Sequence, residues 1–320
     1  MKIWQEVFEL INNNQNFLIV SHKNPDGDSI GSEIALALAL MKLKKTVYIY
    51  NSNTPPDRYS KFPKASLIKT EKKNFKEDVT IFVDCAEVNR IGEIKDNIDF
   101  SKPSINIDHH IGNTKFGTVN LIKPDYSSTA EIIYKLIKNE IPMDKEIATY
   151  LYIGILTDTG AFRYPNTTSH SLRVASELVA YGVTASQVSE FIWFTDPEAR
   201  IKLLGDVLRT MNLYDKISIM YVTKEMLEKH RAKEEDTEEF IDYGLSIKGI
   251  ETAAIIKERE NGILKVSLRS KNNVPVRELA AKYGGGGHRT ASGFTVKKEI
   301  EPFKKELKKE LEELVEKYKH

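Results

Sequence analysis

Short apolar runs that alternate with helical patterns restrict the fold of this chain more than any other feature. In the first half of the sequence, the runs FLIVS, TVYIY, VTIFVDC and SINID are separated by helical or polar stretches such as IGSEIALALALMKLKK. Each run is continuously apolar, as in strands whose two faces are both covered. The pattern therefore predicts an α/β protein with a parallel sheet between layers of helices.

The texture of the sequence changes after Gly182. The segment from Val183 to about Tyr214 is helical and is typical of a connector between domains. It is followed by the strand KISIMYV, two strands around a turn at 260–262, the glycine run KYGGGGHRTASGF and a charged helix. A chain of 320 residues is long for one hydrophobic core. We therefore predict a parallel-sheet domain at 1–195, and a helical connector with a smaller α/β domain at 196–320.

Composition limits the environment and the partners. The net charge of +1 disfavours a protein that coats long nucleic acid by charge, but it is compatible with a short anionic substrate. Cys85 is the only cysteine, which excludes an internal disulfide and a cysteine zinc site and favours a small buried side chain. The start MKIWQEVFELINNN lacks a signal-peptide pattern, and no run of about 18 apolar residues occurs. We therefore expect a cytoplasmic protein with no membrane partner.

Acidic and imidazole side chains follow several of the predicted strands. Because the carboxyl ends of parallel strands meet at one edge of a sheet, these side chains should converge there. Any one of them could simply cap a helix or end a strand. Together, however, several facing carboxylates repel one another unless protons or cations compensate their charge, which favours a divalent metal site. The candidate ligands and neighbours are His22, Asp26, Asp28, Asp84, Asp108, His109, His110 and Asp158.

The donor types restrict the metal. Mixed carboxylate and imidazole donors without thiolate suit manganese, iron, zinc or cobalt, whereas magnesium and calcium prefer oxygen alone. There are more donors than one ion can use. Two ions about 3.5 to 4 Å apart and bridged by one carboxylate would use them, and such pairs generate the hydroxide nucleophile of phosphoester hydrolysis.

The motifs themselves resemble a known family. HKNPDGD, VDCAE, DHH and TDTG are similar, in this order, to four motifs of the DHH phosphoesterase superfamily. GGGGHRTASG, preceded by SLRS, resembles the nucleotide-binding signature of its DHHA1 domain. The resemblance covers nearly the whole chain, and a two-domain protein of this length is most similar to the NrnA-type members.

This resemblance implies a role for each donor and the use of manganese. His110 would face the scissile phosphate and assist the leaving oxygen, with Asp108 supporting it. One ion would be held by His22, Asp26 and Asp84, and the other by Asp28, Asp84, His109 and Asp158.

The glycine run suggests a second binding site. Glycines let backbone amides approach a phosphate, and a helix that follows them would add a positive end. Arg163, beside Asp158, could also grip a phosphate, or it could form a surface ion pair. The candidate substrate-binding residues of the second domain are Arg269, Ser270, Gly285, Gly286, Gly287 and His288.

The function implied by the resemblance is hydrolysis of short 5'-phosphorylated oligoribonucleotides, such as nano-RNA and pApA, and of 3'-phosphoadenosine 5'-phosphate. A second domain that closes the cleft would limit substrates to a few nucleotides. Alternatives are a cyclic di-AMP phosphodiesterase, a RecJ-like exonuclease for long single strands, a family-II pyrophosphatase and a nucleotide-binding sensor without catalysis. Many members of the family are homodimers, which we also expect here.

Overall fold

The computed structural model describes residues 2–72, 74–271 and 274–318, which form two compact units, Met1–Thr195 and Asp196–His320. The elements of the first unit are α1 (Lys2–Asn13), β1 (Asn16–Val20), α2 (Gly27–Lys42), β2 (Thr46–Tyr50), α3 (Asp57–Ser60), β3 (Ile68–Lys69), β4 (Val79–Val83), β5 (Ser104–Asp108), β6 (Val119–Ile122), α4 (Thr129–Ile137), α5 (Lys145–Asp158), α6 (Ser169–Ala180) and α7 (Ala185–Trp193). Those of the second unit are α8 (Glu198–Arg209), β7 (Asn212–Tyr214), β8 (Ile217–Val222), α9 (Lys224–His230), α10 (Phe240–Ser246), β9 (Thr252–Glu258), β10 (Ile263–Ser270), α11 (Val276–Lys282), β11 (Gly286–His288), β12 (Ala291–Lys297) and α12 (Ile300–Lys317).

The first unit is built on a parallel sheet, as predicted. Its strand order is β3-β2-β1-β4-β5-β6, and every neighbouring pair is parallel. Every residue of β4 and β5 is buried, as expected for parallel strands that are covered on both faces. The order reverses between β1 and β4, and in such sheets the crevice at the carboxyl ends of these two strands is the usual binding site.

Two helices approach each other closely beneath this edge. A Cβ atom on Gly31 of α2 would lie 2.5 Å from the backbone oxygen of Tyr150 and 2.9 Å from the nitrogen of Gly154, both on α5. A side chain larger than hydrogen does not fit there, so glycine is required at the crossing. This close contact fixes the first two turns of α2 against α5.

The second unit contains a mixed sheet in the order β11-β12-β10-β9-β8-β7. Only β8 and β9 pair in parallel among its described strands. The two strands predicted around 260–262 are β9 and β10. The connector predicted to be helical consists of α7 and α8, but its last three residues form the strand β7.

The glycine run differs from its prediction. Among the described residues, no helix follows it directly, because the next helix, α12, begins only after β12. The helix α11 precedes the run, and Gly286–His288 form the edge strand β11, antiparallel to β12. The tight turn between the two strands explains the difference. A Cβ on Gly287 would lie 2.5 Å from the oxygen of Ala291, and the φ angle of Gly287 is +136°. The glycines therefore permit close strand pairing, and the expected positive helix end is absent from this part of the described chain.

Within the described residues, none of the helices has the length and apolar character needed to cross a membrane.

Candidate metal centre

The predicted ligands of the first unit lie together at the carboxyl edge of the parallel sheet. Asp84 directly follows β4, Asp108 ends β5, and His22 lies two residues beyond β1. Asp26 is the N-cap of α2, where its carboxylate accepts hydrogen bonds from two amides of the first turn. The remaining predicted ligands lie in the first turn of α2 (Asp28), after β5 (His109, His110) and at the end of α5 (Asp158).

Asp84 is the centre of this cluster. Its Oδ2 lies 3.5 Å from Nε2 of His22, and its Oδ1 lies 3.7 Å from Nε2 of His109 and from Nδ1 of His110. The φ angle of Asp84 is 55°, in the left-handed region that few residues other than glycine adopt. Strained backbone of this kind is concentrated at functional sites, and here it turns the chain immediately after β4.

Asp28 is buried and is held by the start of another helix. Its carboxylate accepts hydrogen bonds from the backbone nitrogens of Thr129 (2.7 Å) and Ala130 (2.9 Å), the first two residues of α4. Thr129 also donates its hydroxyl to Oδ1 of Asp84, at 3.1 Å. The first turn of α4 therefore orients two carboxylates at once.

His109 connects the cluster to α5. Its Nε2 lies 3.5 Å from Oδ2 of Asp158 and 4.0 Å from Oδ2 of Asp28. Asp158 is more exposed than Asp28, since 28% of its side chain is accessible against 1%. His109 therefore lies near one buried carboxylate, that of Asp28, and one more exposed carboxylate, that of Asp158.

His110 has a different environment from its neighbour. Its Nδ1 lies 2.7 Å from Oδ1 of the fully buried Asp108, whose other oxygen accepts a hydrogen bond from Asn113 at 2.6 Å. Burial lowers the pKa of His110, but the hydrogen bond to Asp108 and the charge of Asp84 outweigh it and raise the pKa to about 9. A protonated His110 with a fixed ring can donate a hydrogen bond.

The cluster has the donors and the charge of a metal site. There are three sets of residues in which the donor atoms lie within 4.8 Å of one another. They are His22 with Asp26 and Asp84, Asp28 with His109 and Asp158, and Asp84 with His109 and His110. Burial and the charges of neighbouring carboxylates raise the pKa values of Asp28 and Asp158. Crowded, buried carboxylates of this kind call for compensation by cations, so the residues present fit divalent ions.

The pKa of Asp84 is shifted in the opposite direction. Burial alone would raise its pKa, but the hydrogen bond to His22 and the nearby rings of His110 and His109 hold that pKa well below the usual range. Asp84 is therefore the carboxylate most strongly kept in its charged form, as a metal ligand must be.

The predicted substrate-binding residues of the second unit lie around β10 and β11. Arg269 donates to the backbone oxygen of Leu268 at 3.3 Å and forms no ion pair with any described residue, so its charge is available for an anion. Ser270 donates its hydroxyl to the oxygen of Val274 at 2.5 Å. Gly286 and Gly287 lie in the edge strand, with Gly285 just before it. The side chain of His288 lies outside the described part of the structure.

Arg163 is exposed and donates from Nε to the backbone oxygen of Gly160 at 2.7 Å. It forms no ion pair with a described residue, so the surface ion pair considered for it is not present in that part of the chain.

Several polar residues around the centre were missed by the sequence analysis. Ser29 bridges two ligands, with its hydroxyl 2.7 Å from Nε2 of His22 and 2.8 Å from Oδ2 of Asp84. Asn166 donates to Asp158. His170 contacts the buried carboxylate of Glu131. Only Ser29 had a sequence signal, because it lies within the motif HKNPDGDS.

Known proteins share this architecture. Residues 16–155 match the DHH family, N-terminal domain, and residues 216–317 match the DHHA1 domain. The bifunctional oligoribonuclease and PAP phosphatase NrnA of Thermus thermophilus is 36% identical over 282 residues, which cover 87% of this chain and 83% of that protein. NrnA of Bacillus subtilis is 27% identical over 296 residues, which cover 91% and 92% of the two chains. The crystal structure of an exopolyphosphatase-related protein from Bacteroides fragilis is similar with a TM-score of 0.90 and 30% identity, over 99% of this chain and 96% of that chain.

Proposed function

The chain belongs to the DHH family of phosphoesterases with a DHHA1 domain, and on this premise we propose that it is a metal-dependent phosphodiesterase that hydrolyses short 5'-phosphorylated oligoribonucleotides to mononucleotides. Its substrates would include nano-RNA and pApA, and it would also remove a phosphate from 3'-phosphoadenosine 5'-phosphate. The names of its NrnA relatives, bifunctional oligoribonuclease and PAP phosphatase, support this choice.

One structural observation carries the proposal, namely the position of Asp84. Its two oxygens face different histidines, His22 at 3.5 Å and His109 at 3.7 Å. Asp84 would hold one ion together with His22 and Asp26, and it would hold the other together with Asp28, His109 and Asp158. Divalent ions bound there would lower the pKa of a water molecule and neutralise negative charge on the phosphate.

His110 would act on the leaving group. Nδ1 of His110 is bound to Asp108, so a hydrogen bond to a phosphate or ribose oxygen of the substrate would come from Nε2. The same carboxylate favours the charged imidazole, so a proton is present for the oxygen that departs. Asn113 in turn fixes Asp108, and His110 therefore enters the reaction with its ring already oriented.

The second unit would bind a phosphate of the substrate. The strand β11 lies at the edge of its sheet, where backbone amides outside the ladder can donate to an anion. Arg269 lies in β10, opposite Ala291 of the adjacent strand β12. Its guanidinium has no ion-pair partner among the described residues. We propose Ser270, Gly285, Gly286, Gly287 and His288 as further substrate-binding residues of the second unit, and Arg163 as a substrate-binding residue of the first unit.

The proposal extends to the metal and to the setting of the enzyme. Carboxylate and imidazole donors without thiolate suit manganese, which we propose as the working ion. We further propose that the protein is a homodimer in the cytoplasm. Light scattering coupled to size-exclusion chromatography tests the homodimer.

The decisive experiment is turnover with Mn²⁺ on a matched panel. It comprises pApA, a five-nucleotide RNA, a long RNA, 3'-phosphoadenosine 5'-phosphate, cyclic di-AMP and pyrophosphate. We expect rapid release of mononucleotide from the short RNAs and slow cutting of the long one. Preference for cyclic di-AMP, long RNA or pyrophosphate would instead support the corresponding alternative, and binding without turnover would indicate a sensor.

A matched pair of variants assigns the activity to the centre. Asp84→Asn keeps the shape of the side chain but removes the charge, and we expect a loss of about 10³-fold or more, since metal ions contribute several kcal/mol to transition-state stabilisation. Asp99→Asn, in an exposed loop, is the control and should retain full activity. Equal activity of the two variants would refute the assignment.

A further inference from the structure

Asn166 lies between two segments of the metal centre and donates to both. Its Nδ2 is 3.0 Å from the backbone oxygen of Asp158, 3.3 Å from Oδ2 of the same residue and 3.0 Å from the backbone oxygen of Ser127. Two of these neighbours are carbonyl oxygens, which only accept, so the amide must present its NH₂ group to them. The contacts therefore define one orientation of the Asn166 side chain.

The two segments that Asn166 joins carry different ligands. Asp158 ends α5 and is itself a proposed ligand. Ser127 lies two residues before Thr129, whose backbone nitrogen holds Asp28 and whose hydroxyl holds Asp84. A single amide thus links the end of α5 to the start of α4.

The Ser127 segment is anchored from its other side. The nitrogen and the hydroxyl of Ser127 donate to Oε2 of Glu131, at 2.7 and 2.6 Å, and His170 contacts the other oxygen of that carboxylate. Glu131 is 1% exposed, so these bonds are shielded from competing water. Because the segment is fixed by Glu131, the bonds from Asn166 can transmit its position to Asp158.

We infer that Asn166 is a positioning residue that sets the distance between Asp158 and the Asp28 side of the centre. This inference rests on the proposed function, because it concerns the ion proposed to lie among Asp28, His109 and Asp158. Without Asn166, the more open carboxylate of Asp158 is free to turn away from that group. The other group, formed by His22, Asp26 and Asp84, makes no hydrogen bond to Asn166 and should be unaffected.

Metal titration of the whole protein by calorimetry tests the inference. For Asn166→Ala we expect one Mn²⁺ site to weaken by about 10- to 100-fold, as is usual when a residue that orients a ligand is removed, while the other site keeps its affinity. Asn120→Ala is the matched control. Asn120 is also half-buried and exchanges two hydrogen bonds with Gly117 in a turn, so it reports the cost of losing an asparagine in the same unit.

Kinetics supply a second readout that a purely structural role would not change. In Asn166→Ala, excess Mn²⁺ should restore kcat toward the wild-type value, with the KM for pApA unaltered. Asn166→Asp keeps the shape but replaces the donor by an acceptor that faces two carbonyl oxygens and Asp158. It should weaken the same metal site at least as much, and it covers the case in which the alanine variant fails to fold.

Unchanged affinity at both metal sites in a folded Asn166 variant would overturn the inference, and so would equal weakening in Asn120→Ala. A wild-type protein that binds two ions but hydrolyses none of the oligonucleotides would overturn the proposed function instead. In that case the titration alone would still decide the role of Asn166.

Discussion

Gly154 and Asp28 lie in direct contact where α5 crosses α2. A Cβ atom added to Gly154 would lie 2.7 Å from Oδ1 of Asp28 and 2.5 Å from Cβ of Ala130. The crossing therefore has no room for a methyl group, and the carboxylate of a proposed ligand fills part of the space. Packing of the helices and geometry of the metal centre are coupled at this point.

Gly154→Ala should accordingly affect both stability and metal binding. Overpacking of this kind costs about 1–3 kcal/mol, and the added methyl group should displace Asp28 from the amides of α4. Chemical denaturation measures the first effect, and calorimetric titration with Mn²⁺ measures the second. Gly205→Ala in α8 is the control, because nothing lies within 4 Å of its added Cβ, and it should be neutral or stabilising by up to about 1 kcal/mol. Similar results for the two variants would show that the helix crossing can accommodate a methyl group.

Substitutions of the adjacent residues His109 and His110 should have different effects. His109 lies 3.5 Å from Asp158 in a donor group, so His109→Ala should weaken the binding of a metal ion. His110→Ala should bind metal nearly as the wild type does but should lower kcat by about 10²–10⁴-fold, the usual contribution of a general acid. Titration and steady-state kinetics on pApA separate the two results. A His110 variant with an intact kcat would exclude the proposed role at the leaving oxygen.

The strands and the cluster at their ends could be predicted because both follow local rules. Continuous apolar runs define buried parallel strands, and the sheet then brings Asp84 and His109 together without further information. The two-residue strand β3 has too few residues to form a pattern. Asn166 and Glu131 could not be predicted, because each has a partner 39 residues away in the sequence, Ser127 for Asn166 and His170 for Glu131, which it meets only through helix packing.

The glycine run shows a second limit. Glycines have no side-chain periodicity, so a phosphate loop and an edge strand read alike in a sequence. The run becomes a strand because it pairs with β12, and the backbone of His288 is paired with that of Ala291 beside a tight turn. That pairing is a tertiary contact, which propensity cannot supply.

The burial of Glu33 should make the free energy of unfolding depend on pH. This residue of α2 is fully buried, and its Oε2 accepts a hydrogen bond from Asn51 at 2.9 Å. Burial raises its pKa from 4.5 to about 8, although the hydrogen bond from Asn51 acts against the shift. A carboxyl whose pKa is raised by folding stabilises the protein below the unfolded pKa, and that stabilisation is lost as the pH rises toward about 8.

Glu33→Gln should therefore flatten this dependence. Between pH 5 and pH 8 the free energy of unfolding of the wild type should fall, relative to the variant, by up to about 1.4 kcal/mol per pH unit. Denaturation curves at pH 5, 6.5 and 8 measure the difference, with the exposed Glu71→Gln as the control. Parallel curves for wild type and Glu33→Gln would mean that the buried carboxyl keeps an ordinary pKa.

Two neighbouring glycines can separate substrate binding from folding in the second unit. A Cβ on Gly285 would collide with the backbone oxygen of Gly293 and lie 2.5 Å from Cβ of Phe294, whereas nothing lies within 4 Å of a Cβ on Gly286. Gly285→Ala should therefore lower the melting temperature by disturbing the β11 edge. Gly286→Ala should leave the melting temperature unchanged, but it should raise the KM for pApA if a phosphate approaches this edge, because the methyl group occupies the same space. Thermal unfolding and steady-state kinetics on both variants make the comparison. An unchanged KM in Gly286→Ala would place the phosphate elsewhere and would leave the glycines with a purely structural role.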